Sequence, residues 1–307
     1  MPFSGADPML VAITGSSGLI GSALTRSLTG DGHGVLPVVR TREGHDGPVV
    51  QWDPNAGTID AGGLEGVDAV VHLAGEAIAG GRWTDEHRRR IRESRTRGTA
   101  LLSESLAGLE RPPSVLVSGS GMHYYGDGGD RVLTESSPAG RGFLSEVCQA
   151  WEAATGMAAE AGIRVAHIRT AVVLSSAGGA LATQLLPYKL GLGGRVGNGR
   201  QWFSWITLAD HVAAMRFLID HDVAGPVNLG SPAPVTNATF AKTLGRVLHR
   251  PAVIPLPRLI TRLPAGIGPL VEELLFHSGR LAPSVLEEAG FEFTHPELEG
   301  ALRAVID

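Results

Sequence analysis

Short apolar, β-branched runs alternate with longer segments of helical period through the first half of the chain. The runs read MLVAITG, GVLPVVR, PVVQW, DAVVHLAG, SVLVSGS and IRVAHIRT. In several of the intervening segments apolar residues recur about every 3.6 positions, as they do along one face of a helix. Strands that alternate with helices in this way build a parallel sheet with helices on both faces. The pattern therefore predicts an α/β protein with a doubly wound parallel sheet.

The pattern changes around Leu174, where a glycine-rich and irregular segment begins. The next segment, QWFSWITLADHVAAMRFLID, predicts a short strand followed by a helix that Asp210 caps. Another helix is predicted to begin near Thr236 or Asn237. From Pro251 onward the chain is punctuated by prolines and is helical in character.

These changes divide the chain into two predicted parts. Residues 1–174 form a dinucleotide-binding domain, and residues 175–307 form a smaller, mainly helical domain on the substrate side. A segment near 201–230 is expected to pack back on the first domain. The cleft between the two parts is the expected site for a small-molecule substrate.

The stretch VAITGSSGLIGSALTRSL carries three glycines on a strand-to-helix turn. Gly15 suits the tight turn, Gly18 lets the main chain approach a ligand, and Gly21 allows the helix to pack closely on the strand. Free amides at the start of the helix then face a diphosphate. The turn therefore predicts a Rossmann-type site, although an ordinary glycine-rich turn has the same composition. The predicted contacts are Gly15, Ser16, Ser17, Gly18, Leu19, Ile20 and Gly21.

The second strand, in HGVLPVVR, ends at Arg40, roughly 20 residues beyond the glycines, where this fold meets the adenosine ribose. Arg42 follows, and no acid precedes Glu43. A guanidinium group suits a phosphate dianion, so the sequence predicts NADP(H) in preference to NAD(H). A solvated arginine at a strand end is the alternative.

Composition limits the remaining partners. The 307 residues are 43% hydrophobic and 19% charged, which is ordinary for a globular protein, and the net charge of −5 argues against nucleic acid as the main partner. The basic stretch HRRRIRESRTRG, residues 87–98, is interpreted as a solvated helix face.

No apolar run approaches the ~18 residues of a membrane span, and the N-terminus does not resemble a signal peptide. We therefore expect a cytoplasmic protein without a membrane partner.

The cysteine content of the chain also agrees with a cytoplasmic protein, and its histidines bear on metal binding. The single Cys148 permits no internal disulfide, in agreement with a reducing compartment. The histidines show no metal-binding spacing, so no metal is predicted.

Several longer motifs resemble a known superfamily. TGSSGLIG, VVHLAGE, RTRGT, VLVSGSGMHYYGD and VNLGSPAPVTN are similar to the extended branch of the short-chain dehydrogenases/reductases, the nucleotide-sugar epimerase and dehydratase group. GFL..VC..WE, G.GRQW.SWI and EAGF.F resemble an atypical epimerase-like family with a helical C-terminal domain, from about residue 10 to the end. Members are variously described as nucleoside-diphosphate-sugar epimerases or cell-division inhibitors.

The resemblance implies an NADP(H)-dependent oxidoreductase acting on a small carbonyl, enone or sugar-like substrate, and a possible homodimer. An epimerase or dehydratase that uses the cofactor transiently, and a non-catalytic NADP(H)-binding regulator, remain alternatives. The further cofactor contacts that it implies are Leu73, Ala74, Gly75, Ser118 and Arg169.

The chain departs from the superfamily at its proton relay. A tyrosine and a lysine four residues apart usually share one helix face there, and alignment through Glu152 places Leu144 and Cys148 at those positions. No tyrosine in the chain is followed by a lysine four residues later. The asparagine that usually precedes the V.GT motif is Arg95.

Four residues remain as catalytic candidates. Ser120 matches the residue that polarises a substrate carbonyl, and it could equally bond to its own turn. His123 could be a general acid near neutral pH or a buried structural histidine, and Tyr124 is the better placed of two adjacent phenols. Arg95 could hold an anionic group or pair with an acid.

Further residues are expected around the substrate or in the core. Cys148, on an apolar stripe, is expected to pack in the core. Arg82, Trp83 and the loop residues Arg200, Gln201 and Trp202 resemble the family's substrate side, although the tryptophans could also be packing residues.

Overall fold

The computed structural model describes residues 7–79, 81, 83–263 and 267–306, so Arg82 lies outside the described residues. The strands of that part are β1 (Leu10–Thr14), β2 (Gly34–Val39), β3 (Val50–Asp53), β4 (Thr58–Ile59), β5 (Ala69–His72), β6 (Val115–Gly121), β7 (Val132–Leu133), β8 (Arg164–Thr170), β9 (Val172–Leu174), β10 (Trp202–Phe203), β11 (Trp205–Thr207), β12 (Gly225–Leu229), β13 (Val235–Thr236) and β14 (Arg280–Leu281).

The α-helices in the same ranges are α1 (Leu19–Gly30), α2 (Asp85–Ala107), α3 (Phe143–Ala153), α4 (Gly156–Glu160), α5 (Gly179–Lys189), α6 (Leu208–Asp220), α7 (Asn237–Val247), α8 (Ile267–Val271), α9 (Ser284–Glu288) and α10 (Leu298–Ile306). Short 3₁₀ turns span Ala61–Leu64, Met122–Tyr125 and Arg258–Arg262, and a π-helical turn spans Glu272–Phe276.

The main sheet has the order β12-β8-β6-β5-β1-β2-β3-β4. Its neighbouring strands are parallel except β3 and β4, which are antiparallel. Helices α1 and α6 pack on one face, where Leu24 and Met215 join the strand residue Ile13 in one core. Helices α2 and α4 cover the other face around Leu102 and Ala158. The predicted doubly wound α/β fold is therefore confirmed.

The chain beyond β9 is distributed between this sheet and a smaller helical layer. Strand β12 forms the sheet edge beside β8, and α6 packs against α1. Helices α5, α7 and α10 surround a separate core that contains Trp205 and Phe240. Two-stranded ladders join β9 to β11, β10 to β13 and β7 to β14.

Two helix starts in this region test the capping predictions. Helix α6 is capped by Thr207, whose hydroxyl accepts the amide of Asp210 at 3.0 Å, so the prediction that Asp210 is the cap was wrong. Asp210 instead accepts that hydroxyl's proton and the amides of Thr294 and His295. Helix α7 is capped by Thr236, one of the two predicted residues.

The strand order reverses between β1 and β5. A buried chain of hydrogen bonds links the ends of these two strands. The Thr14 hydroxyl accepts hydrogen bonds from the amides of Leu73 and Ala74, each at 3.1 Å. We therefore infer that the hydroxyl donates its own proton to His72 Nδ1, which lies 2.7 Å away. His72 then carries its own proton on Nε2 and donates it to Thr99 at 2.8 Å. The loop after β5 is thereby held against the end of β1, where such sheets bind ligands.

Two fully buried histidines lie near this point. Burial, and to a smaller extent Arg95, lowers the pKa of His72 to about 4. Burial also lowers to about 4 the pKa of His211, whose Nε2 lies 3.0 Å from the Thr170 hydroxyl. Both imidazoles are therefore neutral in the native protein at neutral pH.

We expect this neutrality to produce acid-dependent instability. Below about pH 6.5 the unfolded chain protonates both histidines while the native protein does not, so the free energy of unfolding falls between pH 6.5 and 4. His211→Gln should remove up to about 3 kcal/mol of that fall, whereas the exposed His45→Gln should leave it intact. Urea denaturation across the pH series measures both; an unchanged fall in His211→Gln contradicts the assignment.

Candidate active site

The turn between β1 and α1 has no space for side chains at two of its glycines. Gly15 has a φ of +69°, and a Cβ there would lie 3.0 Å from the amide nitrogen of Ala74. A Cβ on Gly21 would lie 2.2 Å from the carbonyl oxygen of Gly15. The turn therefore packs backbone on backbone, as the sequence predicted for a turn that presents amides to a ligand.

Helix α1 begins directly after Gly18 and has no side-chain cap. Its first amides therefore lack intrahelical partners, and the positive end of the helix dipole lies behind them. Gly18 is exposed; its amide donates to the carbonyl of Gly15 at 3.0 Å, and its carbonyl accepts the amide of Ser22 at 2.8 Å. A diphosphate fits this arrangement because unpaired amides and a bare Cα face the same opening.

A cavity of about 470 Å³ continues from this turn toward the carboxyl end of β6. The predicted cofactor contacts that line it are Gly15, Gly18, Leu19, Ile20, Gly21 and Leu73. Ser16 and Ser17 complete the turn beside it, and Ala74 and Gly75 lie on the loop after β5. We call this cavity the cofactor cleft.

Ser118 and Arg169, also predicted as cofactor contacts, are buried outside the lining of the cofactor cleft. Ser118 is fully buried within β6, and its hydroxyl has no hydrogen-bond partner in the described part of the chain. Arg169 is also buried, and its guanidinium is engaged by protein groups elsewhere. Ser118 is therefore held inside the sheet by burial, and Arg169 by burial together with its protein partners.

Arg40 lies immediately after β2 and is exposed. The described residues include no ion-pair partner for its guanidinium, whereas Arg42 pairs with Asp60 at 3.2 Å. Arg40 is therefore the arginine of this segment that is available to an anionic ligand.

Helix α3 presents to the cofactor cleft the two positions that usually hold tyrosine and lysine. Leu144 and Cys148 both line the cleft and are buried. Burial raises the pKa of the Cys148 thiol to about 12, and the smaller opposing effect of Arg95 does not offset it. Neither position offers a proton-transfer group at neutral pH, and Cys148 is a wall residue of the cleft.

A buried ionic group lies behind the cleft wall. The Ser120 hydroxyl, which lines the cleft, donates to Glu152 Oε1 at 2.6 Å. Arg169 binds both oxygens of the same carboxylate, from Nε at 2.9 Å and from a terminal nitrogen at 2.8 Å. The side chains of Glu152 and Arg169 are 12% and 3% exposed, so the ion pair is almost completely desolvated. Ser120 therefore joins the cleft to a paired carboxylate.

Glu152 was not among the predicted site residues. The sequence pattern that could have indicated it is its spacing. Leu144, Cys148 and Glu152 follow one another at four-residue steps and therefore share one helix face. The partner residues come from β6 and β8, 32 and 17 positions away in sequence.

Two other predicted residues reach the cofactor cleft. His123 lines it, and burial together with His277 and Arg95 lowers the pKa of His123 to about 4. It therefore offers a neutral N–H and a lone pair instead of the cationic acid expected near neutral pH. Arg95 also lines the cleft, stacks 4.9 Å from the Trp151 ring centre and donates to the carbonyl of Glu76 at 3.0 Å.

Arg95 differs from the solvated helix face predicted for its segment. It is 7% exposed, burial lowers its pKa, and no described carboxylate lies within ion-pair distance. A buried guanidinium without an ion-pair partner among the described residues therefore lines the cleft.

Tyr124 does not line the cofactor cleft. Its ring lies under the Arg169 guanidinium, with the carbon of that group 3.4 Å from the ring centre. It packs edge-on against Tyr125, whose hydroxyl accepts from Arg169 and donates to Asn228 at 2.7 Å. The structure thus places Tyr124 beside the ionic group and away from the ligand space.

A second cavity of about 840 Å³ adjoins the cofactor cleft and shares with it Met122, His123 and Val172. It lies between α5 and the segment around Glu273. We call it the distal cavity. Of the predicted substrate-side residues, Gln201 and Trp202 line it, whereas Trp83 is buried under Phe143 and donates to the carbonyl of Ile78.

Across the described ranges no helix combines the length and apolar character needed to cross a membrane. In the same ranges no three histidine, cysteine, aspartate or glutamate side chains cluster as metal ligands would.

The doubly wound sheet and the glycine turn at its switch point define the Rossmann-like fold of the short-chain dehydrogenases/reductases. The chain belongs to the NAD dependent epimerase/dehydratase family, whose model matches residues 11–230. A domain of unknown function, DUF1731, matches residues 257–305. The family resemblance predicted from the motifs is therefore confirmed.

The similarity extends over almost the whole chain. The Epimerase family protein MT2273 of Mycobacterium tuberculosis is 44% identical over 294 residues, which cover 95% of this chain and 96% of that protein. The crystal structure of human epimerase family protein SDR39U1 (isoform 2) with NADPH is 34% identical, has a TM-score of 0.88 and covers 97% of this chain and 99% of that one. A Corynebacterium glutamicum nucleoside-diphosphate sugar epimerase has a TM-score of 0.80 and 37% identity over 98% of this chain and 58% of that one.

Proposed function

We propose that the protein is an NADP(H)-dependent oxidoreductase that interconverts an alcohol and a carbonyl group, with Ser120 and Glu152 handling the proton. The observation that carries this proposal is the 2.6 Å bond from a cleft-lining hydroxyl to an ion-paired carboxylate. The glycine turn supports the cofactor, as does the NADPH in the crystal structure of the human relative.

The cofactor would be held by the backbone of Gly15, Gly18 and Gly21, and its extra phosphate by Arg40. Bound in the cleft, it would supply or accept a hydride. Ser120 donates its proton to Glu152 and so presents lone pairs to the cleft. In alcohol oxidation the substrate hydroxyl proton passes to Ser120 as the Ser120 proton passes to Glu152, which then releases it to solvent through its 12% exposed side chain. Carbonyl reduction runs in reverse, with Glu152 first taking up a proton from solvent.

The two remaining cleft groups fit this chemistry. Neutral His123 can donate its N–H to the substrate oxygen, and the positive charge of Arg95 favours an oxygen that gains negative charge during the reaction. Arg169, paired with Glu152 and stacked on Tyr124, orients the carboxylate. The relay thus uses a serine and a glutamate where relatives of the superfamily use a tyrosine and a lysine.

Ser120→Ala tests the proton path. It removes the donor to Glu152 but leaves the Glu152–Arg169 pair, so we expect turnover to fall about 10²- to 10⁴-fold while the Kd for NADPH stays unchanged. Stopped-flow loss of nicotinamide absorbance against a panel of carbonyl compounds and enones measures turnover. Ser114→Ala, just before β6 and outside the cleft, is the control. Full activity in Ser120→Ala would exclude the relay.

The same panel separates the enzyme from a non-catalytic NADP(H)-binding regulator. The missing tyrosine and lysine favour the regulator, which binds NADPH tightly and oxidises none of it. Absence of turnover by the wild-type protein with every compound, between pH 5 and 9, would support the regulator and contradict the oxidoreductase.

Arg40 sets the expected preference between the two dinucleotides. Arg40→Gln should weaken NADPH binding about 10- to 100-fold, because a charge-assisted contact to a phosphate contributes about 1.5–3 kcal/mol. NADH affinity should not change. Arg42→Gln should have a smaller effect because Arg42 already pairs with Asp60. Calorimetric titration of both dinucleotides measures the preference, and tighter NADH binding by the wild type would contradict it.

A further inference from the structure

We propose that the distal cavity binds an uncharged, predominantly apolar carbonyl compound, or the corresponding alcohol, with its oxygen toward His123. The proposal rests on the function proposed above and names its substrate class. A substrate of this class would distinguish the protein from enzymes that act on nucleotide sugars.

The wall of the distal cavity is mainly hydrocarbon. Aliphatic and aromatic side chains line it from several segments of the chain, and examples are Ile78, Val172, Tyr188, Phe203 and Leu274. A volume of about 840 Å³ is within the range of ordinary small-molecule sites, which are mostly apolar with a few polar groups that fix orientation. Such a wall favours a ligand that itself has apolar surface to bury.

Most polar side chains on this wall already have protein partners. Thr183 and Gln184 donate to the carbonyl of Ala180 on their own helix. Gln201 donates to the carbonyls of Val196 and Leu275. A polar ligand would have to compete with these bonds.

Two further polar side chains, those of Asn237 and Ser278, also have protein partners. The Asn237 side chain accepts the amide of Val196. The Ser278 hydroxyl donates to the carbonyl of Gly129 and accepts the amide of Trp202. The sugar hydroxyls of a nucleotide sugar would therefore have to compete with these bonds, and their burial against a mainly apolar wall would carry a desolvation cost.

The charge of the distal cavity's own lining is unfavourable for a diphosphate. No arginine or lysine is found among its described lining residues, and diphosphates are bound by such cations or by free amides. Its charged side chain is Glu273, whose carboxylate accepts the amides of Phe143 and Leu144 at 3.2 and 2.9 Å. An anionic ligand would meet a carboxylate and no compensating cation.

Two histidines are the polar side chains on this wall to which the described structure gives no hydrogen bond. His123 lines both cavities and therefore stands where a ligand would pass from one to the other. His277 lines the distal cavity and is close enough to affect the charge of His123. A single carbonyl or hydroxyl group finds its partner there, next to Ser120 and the cofactor cleft.

The rim of the distal cavity has the same character as its interior. Leu192 and Ile254, 58% and 48% exposed, belong to the lining, and Leu275 is 37% exposed. Exposed aliphatic side chains at the opening of a cavity favour the entry of an apolar molecule.

Calorimetric titration of the NADP⁺-loaded protein tests the inference without turnover. The probes are methyl ketones whose alkyl chain lengthens stepwise from propyl to octyl, with UDP-glucose as the polar alternative. We expect about fourfold tighter binding for each added methylene, and no binding of UDP-glucose. Binding of UDP-glucose, or ketone affinity that does not depend on chain length, would overturn the proposal.

Substitutions on α5 locate the binding. Thr183→Phe fills the distal cavity from an exposed position and should weaken octyl ketone binding about tenfold or more. Leu186→Phe, exposed on the same helix and outside the lining, should bind normally. Equal binding by both variants would place the ketone elsewhere and overturn the assignment.

Turnover with NADPH then distinguishes the two proposals. Ketones that bind in the distal cavity but are not reduced would contradict the oxidoreductase while the ligand class stands. A nucleotide sugar that both binds and reacts would contradict the ligand class while the oxidoreductase stands.

Discussion

Glu152→Gln is expected to lower the free energy of unfolding by about 3–5 kcal/mol, because it removes the counter-charge from a buried guanidinium. Arg169 would keep neutral partners, the Tyr125 hydroxyl at 2.9 Å and the carbonyl of Glu135 at 3.2 Å. These partners do not replace a carboxylate that binds the guanidinium through two nitrogens. Urea denaturation at constant pH measures the change.

A matched control separates burial from charge. Glu146 is on the same helix and pairs with Arg92 at 3.0 Å, but its side chain is 62% exposed, so Glu146→Gln should change stability by less than about 1 kcal/mol. The double variant Glu152→Gln with Arg169→Met should recover part of the loss, since no unpaired charge remains. A change below 1 kcal/mol in Glu152→Gln would contradict a desolvated pair.

Gly21→Ala is expected to weaken NADPH binding by at least about 100-fold and to destabilise the fold by about 1–3 kcal/mol. The new Cβ would lie 2.2 Å from the Gly15 carbonyl oxygen and 2.8 Å from the Ser16 Cα. Both are backbone atoms, so the turn itself must move and its amides lose their common direction. NADPH titration and denaturation measure the two effects.

Gly30→Ala is the corresponding control at the other end of α1. Nothing lies within 4 Å of a Cβ placed there, so cofactor binding should be unchanged. Stability should rise by up to about 1 kcal/mol because alanine has the higher helix propensity. If Gly21→Ala bound NADPH as the wild type does, the turn could not be the cradle that we propose.

The strand–turn–helix around the glycines could be predicted because it depends on residues close in sequence. Its strand, turn and helix are set by local apolar period and by glycine conformations. The same local character made the parallel sheet and the Thr236 cap predictable. The prediction that Asp210 caps α6 was wrong, although the same capping rule applies. Thr207 precedes the helix, and its hydroxyl accepts the amide of the third helical residue, which is Asp210 itself.

The ionic group behind the cleft could not be predicted in this way. It joins Ser120, Glu152 and Arg169 from β6, α3 and β8, and only the folded sheet brings their side chains together. Arg169 was predicted to contact the cofactor from its place in a motif, whereas in the structure its guanidinium pairs with the Glu152 carboxylate. The burial of Arg95 was likewise invisible in a stretch as basic as residues 87–98.

The Glu273 carboxylate has a consequence for how the chain can be divided. It comes from the π-helical turn that follows α8, yet it binds the first two amides of the helix that carries Glu152. A chain shortened before residue 267 would lose this anchor as well as a wall of the distal cavity. The C-terminal region therefore supports the start of the helix that carries Glu152.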